Sequence, residues 1–425
     1  MKEKISSGFY IYGDYDNQNI MVFTIELDDD INTEKMEEAI NKALLIHPNI
    51  KVKLVWENNN FYFEQNDKYF CISQKDELKI ISDTNDYLFG VTVKGKEFVF
   101  YLSHVLADGM TIVPFFKSCI LFYYSLLGIK EFDETLEQQR KTYSNIKKYQ
   151  NPYELSILNE IELNKDVIQN DNLKFTNLDE SRKQCVATLR VSNNNLNDMS
   201  KKFGVRKMFI LLAILVESII QKDQNGNNIS SYIAMDMRRA LGIKYATHEC
   251  ISHNRLNLGN EVNISLEDRA KAYQKLWDDS EPELKGLEAF RSSYEIVKIF
   301  QKEKMSYDAK HNLYKHLCDL QIKNQDTFSF SKMTFISEHE KLKKYVKSLY
   351  IYGINLVVDM LFEIHQVGDD ECITVTYCEK AEEYIQNIVK KFDDLGILIS
   401  KKRIEIPAVS IDIKKVLGTS KHNLV

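Results

Sequence analysis

The amino-acid sequence predicts a mixed α/β protein built from two halves, and three observations lead to this prediction. Strand-like and helix-like hydrophobic patterns alternate along most of the chain. A polar stretch at about residues 130–182 separates a first group of elements from a second. The length of 425 residues, with 44% hydrophobic side chains, exceeds that of one small domain and supplies a sizeable core.

The first half begins with an alternating strand and an amphipathic helix. Asn32 can cap this helix, and Pro48 ends it because the residue before a proline avoids the α region. Alternation of apolar and polar residues predicts the strands that follow. The predicted elements are a strand over 21–27, a helix from Asn32 to His47, strands over 50–56, 60–65 and 98–104, and a helix over 111–127.

The second half continues the alternation of strands and helices. Its most hydrophobic run, residues 208–220, contains Glu217 and is shorter than the roughly 18 apolar residues that span a membrane, so a buried core helix is predicted. The predicted strands are 185–191, 231–237, 251–258, 327–335, 353–359 and 372–377; the predicted helices are 196–203, 208–222, a long stretch over 266–320 broken near Pro282, and 381–395.

Composition and charge exclude several classes of protein. With 15 Gly and 5 Pro, the chain is neither collagen-like nor broadly disordered. Its net charge of −6 and the lack of a local basic patch argue against a nucleic-acid partner. The seven cysteines are scattered and odd in number, which argues against a disulfide framework. The N-terminus lacks the apolar run of a signal peptide, so a cytoplasmic protein with no membrane span is expected.

One segment, residues 103–109 (SHVLADG), carries distinctive chemistry. His104 ends an apolar strand, and histidine is the side chain best suited to accept a proton near neutral pH. Asp108 would need a cation or hydrogen-bond donors if it is buried. Gly109 permits a backbone conformation that other residues resist. On spacing alone, a strand-end histidine followed by an ordinary Asp-Gly turn explains the segment equally well.

This segment resembles the HHxxxDG or HxxxD signature of the chloramphenicol acetyltransferase-like superfamily. That group includes condensation domains of nonribosomal peptide synthetases, alcohol acetyltransferases and plant HxxxD acyltransferases. Further stretches are similar to this family in the same order through most of the chain, and the ordered set carries the resemblance. These stretches are 39–64, 203–221, 235–239 (MDMRR) and 328–335 (FSFSKMTF).

The resemblance implies two related α/β lobes around a central tunnel. The first lobe would cover residues 1–165 and the second 185–425, with 166–184 as the connection. An acyl thioester donor, from coenzyme A or from the pantetheine arm of a carrier protein, would enter one face. An alcohol or amine acceptor would enter the other, and no bound cofactor or metal is implied. No carrier, adenylation or thioesterase segment accompanies the domain, so a free-standing protein is expected.

The same resemblance assigns roles to individual residues. His104 would be the general base that deprotonates the acceptor. Asp108 would hold the loop, supported by Gly109, by pairing with an arginine, and Arg238 is the candidate partner. Ser331, at the position of the family's "SN.G" strand, would offer a hydroxyl near the oxyanion.

Three departures from the family pattern limit this assignment. Ser103 stands where the longer signature has its first histidine, and it is expected at the site or in the tunnel. Residues 331–334 read SKMT in place of "SN.G", which weakens the oxyanion role of Ser331. Residues 248–253 (HECISH) replace the expected Gly-Asn pair; with no second Cys/His cluster, they are expected to border the tunnel and not to bind a metal.

Two hypotheses follow from the sequence. The first is an acyltransferase that forms an ester or amide from an acyl thioester. The second is a binding or scaffold protein that kept the fold and lost the chemistry. An accessible His104, with Asp108 turned away towards an arginine, favours the enzyme; a His104 held within the core favours the scaffold.

Overall fold

The structure is a computed structural model that describes residues 2–6, 9–13, 19–163, 172–176, 183–223, 225–333, 342–354, 356 and 358–419. Its strands are β1 (Lys2–Lys4), β2 (Ile20–Leu27), β3 (Val52–Glu57), β4 (Asn60–Gln65), β5 (Glu77–Ile80), β6 (Phe89–Lys94), β7 (Glu97–Ser103), β8 (Gln184–Ser192), β9 (Ile229–Asp236), β10 (Ile251–Gly259), β11 (Phe328–Met333), β12 (Val346–Ile354), β13 (Met360–Val367), β14 (Asp370–Cys378), β15 (Leu398–Ile404) and β16 (Ala408–Ile411). Its helices are α1 (Thr33–Ile46), α2 (Gly109–Leu126), α3 (Asp133–Tyr143), α4 (Asn193–Phe203), α5 (Lys207–Lys222), α6 (Leu266–Asp279), α7 (Pro282–Phe300), α8 (Tyr307–Lys323), α9 (Glu382–Asp394) and α10 (Ile413–Thr419).

The first lobe is organised around a four-stranded antiparallel sheet with strand order β12-β2-β7-β6. Helices α1 and α2 pack against each other, and α2 packs on this sheet through aromatic contacts. The ring of Phe116 lies 4.3 Å from that of Phe100 and 4.8 Å from that of Phe23. Two smaller sheets, β1-β4-β3 and β16-β5, complete the lobe.

The second lobe is organised around a seven-stranded mixed sheet with strand order β10-β9-β11-β13-β14-β8-β15. Its core contains the apolar run of α5, in which residues such as Phe209 and Leu212 are fully buried. Helix α4 ends at Gly204, whose φ of 68° lies in the left-handed region, so the chain can turn directly into α5. Helices α6 and α9 pack against α5 and close this core.

The two lobes exchange segments of chain. Strand β12 follows the second-lobe strand β11 in sequence, yet it pairs antiparallel with β2 in the first-lobe sheet, with Ile351 opposite Phe23. From there it also bonds to the second-lobe sheet, because the carbonyl of Leu349 accepts a hydrogen bond of 2.6 Å from His365. Strand β16 likewise pairs with β5. Most of the predicted connection over 166–184 lies outside the described residues, and the division of the chain into lobes at that connection stays a prediction.

Several elements differ from the sequence-based predictions. The strand predicted over 353–359 is wrong, because β12 ends at Ile354 and β13 begins at Met360. The stretch over 266–320 forms three helices instead of one broken helix, and the polar stretch after 130 contains helix α3. The predicted strand 327–335 is described only as far as Met333.

Within the part of the chain that the structure describes, one helix is long and apolar enough to cross a membrane. It is α2, Gly109–Leu126, and 72% of that window is buried inside the protein. This burial, against α1 and the first-lobe sheet, marks α2 as a core helix.

Candidate active site

The SHVLADG segment forms the turn between strand β7 and helix α2. Strand β7 ends at Ser103, so His104 lies one residue beyond the strand. The backbone N–H of His104 donates to the carbonyl of Asn19 at 3.1 Å, and that of Leu106 closes the turn on Ser103 at 2.9 Å. Asp108 caps α2 by accepting a 2.7 Å hydrogen bond from the backbone N–H of Thr111. The turn is thereby held at both ends.

Asp108 also joins the two lobes. Nη2 of Arg238, which follows β9, lies 2.8 and 2.9 Å from the two carboxylate oxygens of Asp108. The backbone N–H of Cys250, just before β10, donates to the same carboxylate at 2.8 Å. Each oxygen of this fully buried carboxylate therefore has two donors, and Asp108 is not available to His104 or to a substrate.

Arg238 is held by more than Asp108. Its Nη1 donates to Asp236 at 2.6 Å, and its Nη2 donates to the hydroxyl of Thr111 at 2.6 Å. Burial by itself would lower the pKa of Arg238, but the charges of Asp108 and Asp236 outweigh burial and raise it. The sequence-based pairing of Asp108 with Arg238 is present as a contact, although a single guanidinium nitrogen reaches both carboxylate oxygens.

The His104 ring lies at this junction between the lobes. Its side chain is 13% exposed, and its Nδ1 is buried without a hydrogen-bond partner among the described residues. Oε1 of Glu249 is 3.9 Å from that Nδ1. The ring of Tyr10 packs edge-on against the imidazole at 5.8 Å, and the Tyr10 hydroxyl donates to Oε2 of Glu249.

Glu249 and Tyr10 are functional candidates that the sequence did not single out. Burial raises the pKa of the Glu249 carboxyl, while His104 and the hydrogen bond from Tyr10 oppose this rise. Burial, followed by the charge of Glu249, raises the pKa of the Tyr10 hydroxyl, which therefore stays protonated as a donor. The only available sequence signal was the position of Glu249 within HECISH, beside His248.

The histidines of HECISH occupy separate environments. His248 is fully buried, stacks on Phe63 at 5.5 Å and has its Nδ1 2.8 Å from the Thr247 hydroxyl; burial lowers its pKa to about 3. His253 stacks on Tyr232 at 4.2 Å, and burial, followed by the charge of His104, lowers its pKa to about 4. No group of three His, Cys, Asp or Glu side chains within the described ranges is arranged to hold a metal ion.

Ser103 and Ser331 lie in different surroundings. Ser103 is buried, and its hydroxyl has no hydrogen-bond partner among the residues described. Ser331 lies on β11 opposite Glu363 of β13, and its hydroxyl lowers the pKa of that carboxyl. The structure thus places Ser103 next to His104 in the chain and Ser331 beside Glu363 on the adjacent strand.

Gly109 is required for a different reason from the one expected. Its φ does not lie in the left-handed region, so the expectation of an unusual backbone conformation is wrong. A Cβ at Gly109 would instead lie 2.2 Å from Sδ of Met333 at the end of β11. The glycine therefore allows the start of α2 to approach the second-lobe sheet closely.

This arrangement suits proton transfer. A partly exposed imidazole lies between two lobes, on a turn fixed by a buried ion pair, with a buried carboxylate on its Nδ1 side. An imidazole held in this way can accept a proton from a bound hydroxyl or amine at its other nitrogen and then return it.

Solved structures with the same fold were found at low sequence identity. No protein-family model and no curated relative matches the chain. TRI3 trichothecene 15-O-acetyltransferase from Fusarium sporotrichioides superposes with a TM-score of 0.60 at 12% identity, over 93% of this chain and 95% of that one. Polyketide synthase associated protein 5 from Mycobacterium tuberculosis gives 0.57 at 12% identity, over 92% and 97%. TRI101 from F. sporotrichioides, complexed with coenzyme A and T-2, gives 0.56 at 8% identity, over 94% and 99%.

These matches extend over nearly the whole length of each chain. A starter condensation domain, that of the rhizomide synthetase RzmA, is also among the similar structures. The protein therefore has the two-lobed fold of these acetyltransferase and condensation-domain structures, as the sequence predicted.

Proposed function

We propose that the protein is an acyltransferase that moves an acyl group from a thioester donor to an alcohol or amine acceptor, with His104 as general base. The observation that carries this proposal is the placement of His104. The buried Asp108–Arg238 pair fixes its turn at the junction of the lobes, while the imidazole stays 13% exposed and is not hydrogen-bonded into the core through Nδ1.

The proposed reaction needs one proton acceptor. His104 takes the proton from the acceptor hydroxyl or amine, whose oxygen or nitrogen attacks the thioester carbonyl. The tetrahedral intermediate collapses with cleavage of the carbon–sulfur bond, and the imidazolium returns the proton to the departing thiolate. The buried Ser103 hydroxyl, next to His104 in the chain, is the better candidate for an oxyanion donor, because Ser331 lies beside Glu363 on the adjacent strand.

The similar structures support the choice of donor. TRI3 is a 15-O-acetyltransferase, TRI101 was solved with coenzyme A, and condensation domains act within synthetases. We therefore propose acyl-coenzyme A as the donor, with an acyl group on a carrier protein as the other thioester source. We also propose a cytoplasmic location, because the seven cysteines are odd in number and scattered along the sequence, which argues against a disulfide framework.

The test is a thiol-release assay with a panel of acyl-coenzyme A donors, each offered with alcohol and amine acceptors. The wild-type protein should release coenzyme A only when an acceptor is present. His104→Ala should reduce that rate by about 100-fold or more. His316→Ala changes an exposed histidine on α8 and serves as the matched control, with an unchanged rate.

Two results would contradict the proposal. Transfer by a folded His104→Ala protein at the wild-type rate would exclude the histidine mechanism. A wild-type protein that binds coenzyme A or acyl-pantetheine but transfers nothing to any acceptor would support the scaffold hypothesis instead.

A further inference from the structure

We infer that Glu249 is a positioning residue for His104: its carboxylate, held by the Tyr10 hydroxyl, accepts the Nδ1–H of the imidazole and leaves Nε2 as the base. This inference rests on the proposed function and extends it. It assigns the orientation of the histidine to a residue outside the HxxxDG segment, contributed by the other lobe.

The first support is that Asp108 cannot orient His104. Both of its oxygens are occupied by Arg238, by the capping N–H of Thr111 and by the N–H of Cys250. The carboxylate at the ring is that of Glu249, 3.9 Å from Nδ1. That nitrogen is buried and has no hydrogen-bond partner among the described residues, so it needs an acceptor when it carries a proton.

The second support is that both neighbours of Glu249 are fixed in place. Tyr10 lies in the single turn of 3-10 helix Phe9–Tyr12. This turn is held in place because the rings of Phe9 and Tyr12 both stack on that of Phe300 of α7, at 5.4 and 5.2 Å. On the other side, the N–H of Cys250, the residue after Glu249, is bonded to Asp108. The contact that caps α2 therefore also fixes the backbone that carries Glu249.

The third support is the set of titratable groups around His104 and Glu249. Asp108 and Tyr153 also face Glu249, and the described titratable group facing His104 from β10 is His253. Because burial keeps His253 neutral near pH 7, no cation there opposes a proton on His104. A carboxylate beside the ring stabilises the imidazolium that forms during transfer and holds one tautomer before it. Closure by about 1 Å on substrate binding would turn the 3.9 Å separation into a hydrogen bond.

The test compares Glu249→Gln, Tyr10→Phe and Glu249→Asp with the wild type under the thiol-release assay. We expect Glu249→Gln to lower kcat by about 100-fold and to change KM less than about threefold. Without the carboxylate the imidazolium loses its neighbouring negative charge, so the acidic limb of the kcat/KM profile should move to lower pH by roughly one unit. Tyr10→Phe should lower kcat by about tenfold, and Glu249→Asp should restore part of the loss.

The matched control is Glu217→Gln, which removes another largely buried carboxylate, on α5, that pairs with Lys391. It should leave kcat and the pH profile unchanged.

A folded Glu249→Gln protein with wild-type kcat and an unmoved acidic limb, alongside an inactive His104→Ala protein, would overturn the inference and leave the proposed function intact. Loss of the proposed function would appear differently, as equal activity of His104→Ala and the wild type. Should Glu249→Gln fail to fold, Tyr10→Phe is compared with the wild type instead. A lower kcat of Tyr10→Phe supports the inference, and a wild-type kcat with an unmoved acidic limb overturns it.

Discussion

Arg238 places a single guanidinium nitrogen, Nη2, 2.8 and 2.9 Å from the two carboxylate oxygens of Asp108 across the junction of the two lobes. Both side chains are largely buried, at 10% and 0% exposure. Removing two charges from water is costly, and the cost is recovered here because Asp236, Thr111 and Cys250 satisfy the remaining donors and acceptors. The pair fixes the turn that carries His104 to the second lobe.

Breaking one side of this pair should destabilise the protein strongly. Asp108→Asn leaves the buried Arg238 charge with Asp236 as the one carboxylate paired with it among the described residues, and we expect the free energy of unfolding to fall by about 3 kcal/mol. Adding Arg238→Met should recover part of this loss, because no unpaired charge then remains. Denaturant midpoints of the single and double variants measure both effects.

The control for this prediction is the exposed pair of Lys183 and Glu379. Glu379→Gln should leave the denaturant midpoint unchanged, since solvent screens exposed ion pairs. If Asp108→Asn were as stable as Glu379→Gln, the buried pair would not be the link between the lobes.

A methyl group at Gly109 should disturb the contact between α2 and β11. Its Cβ would lie 2.2 Å from Sδ of Met333, so Gly109→Ala forces the methionine to move and should cost about 1–2 kcal/mol. Met333→Ala in the same chain removes the clash and should restore most of the loss. Gly418→Ala is the control, because no atom of the described residues lies within 4 Å of a Cβ there. Thermal melts of the three variants make the comparison, and no rescue by Met333→Ala would contradict the close-packing explanation.

The buried Glu363 predicts a specific pH dependence of stability. Burial raises the pKa of its carboxyl to about 7, with the Ser331 hydroxyl opposing the rise. Below pH 4.5 the group is protonated in both folded and unfolded chains. As pH rises from 4.5 towards 7, the unfolded chain ionises while the folded chain keeps its proton, so stability falls by up to about 3 kcal/mol.

Glu363→Gln removes this penalty without adding a charge. The stability of the variant relative to the wild type should therefore grow between pH 5 and pH 8, as measured by denaturant unfolding at each pH. Glu371 on the neighbouring strand is the opposite case: burial alone would raise its pKa, but Lys332 and Lys207 lower it, so Glu371→Gln should destabilise the protein at neutral pH. A pH-independent difference between Glu363→Gln and the wild type would contradict the account of Glu363.

The parts of the fold set by local sequence were predictable. The Asn32 cap, the Gly204 turn and the apolar run of α5 each act within a few residues, and the structure has them where the pattern indicated. Strand β12 was missed because its role is set by a partner far away in the chain. Its residues pair with β2, so Tyr352 and Ile354 are buried by contacts more than 300 residues distant in sequence.

The candidate site divides in the same way. His104 and Asp108 share one short segment, and the family resemblance suggested Arg238 as the partner of Asp108. Nothing local connects Tyr10 to Glu249, because they meet only when the first-lobe turn Phe9–Tyr12 approaches the segment that leads into strand β10 of the second lobe. Gly109 was singled out for its backbone freedom, but the structure needs a glycine there because Met333 of β11 lies too close for a Cβ. No local pattern in the sequence reveals this neighbour.

The most direct test of the central claim is a crystal structure of the wild-type protein with coenzyme A. The account predicts that the pantetheine arm lies between the two lobes and that its sulfur stops about 3–4 Å from the His104 imidazole, where a thioester carbonyl could be attacked. Coenzyme A bound elsewhere, with its sulfur remote from His104, would contradict the assignment of this junction as the site of acyl transfer.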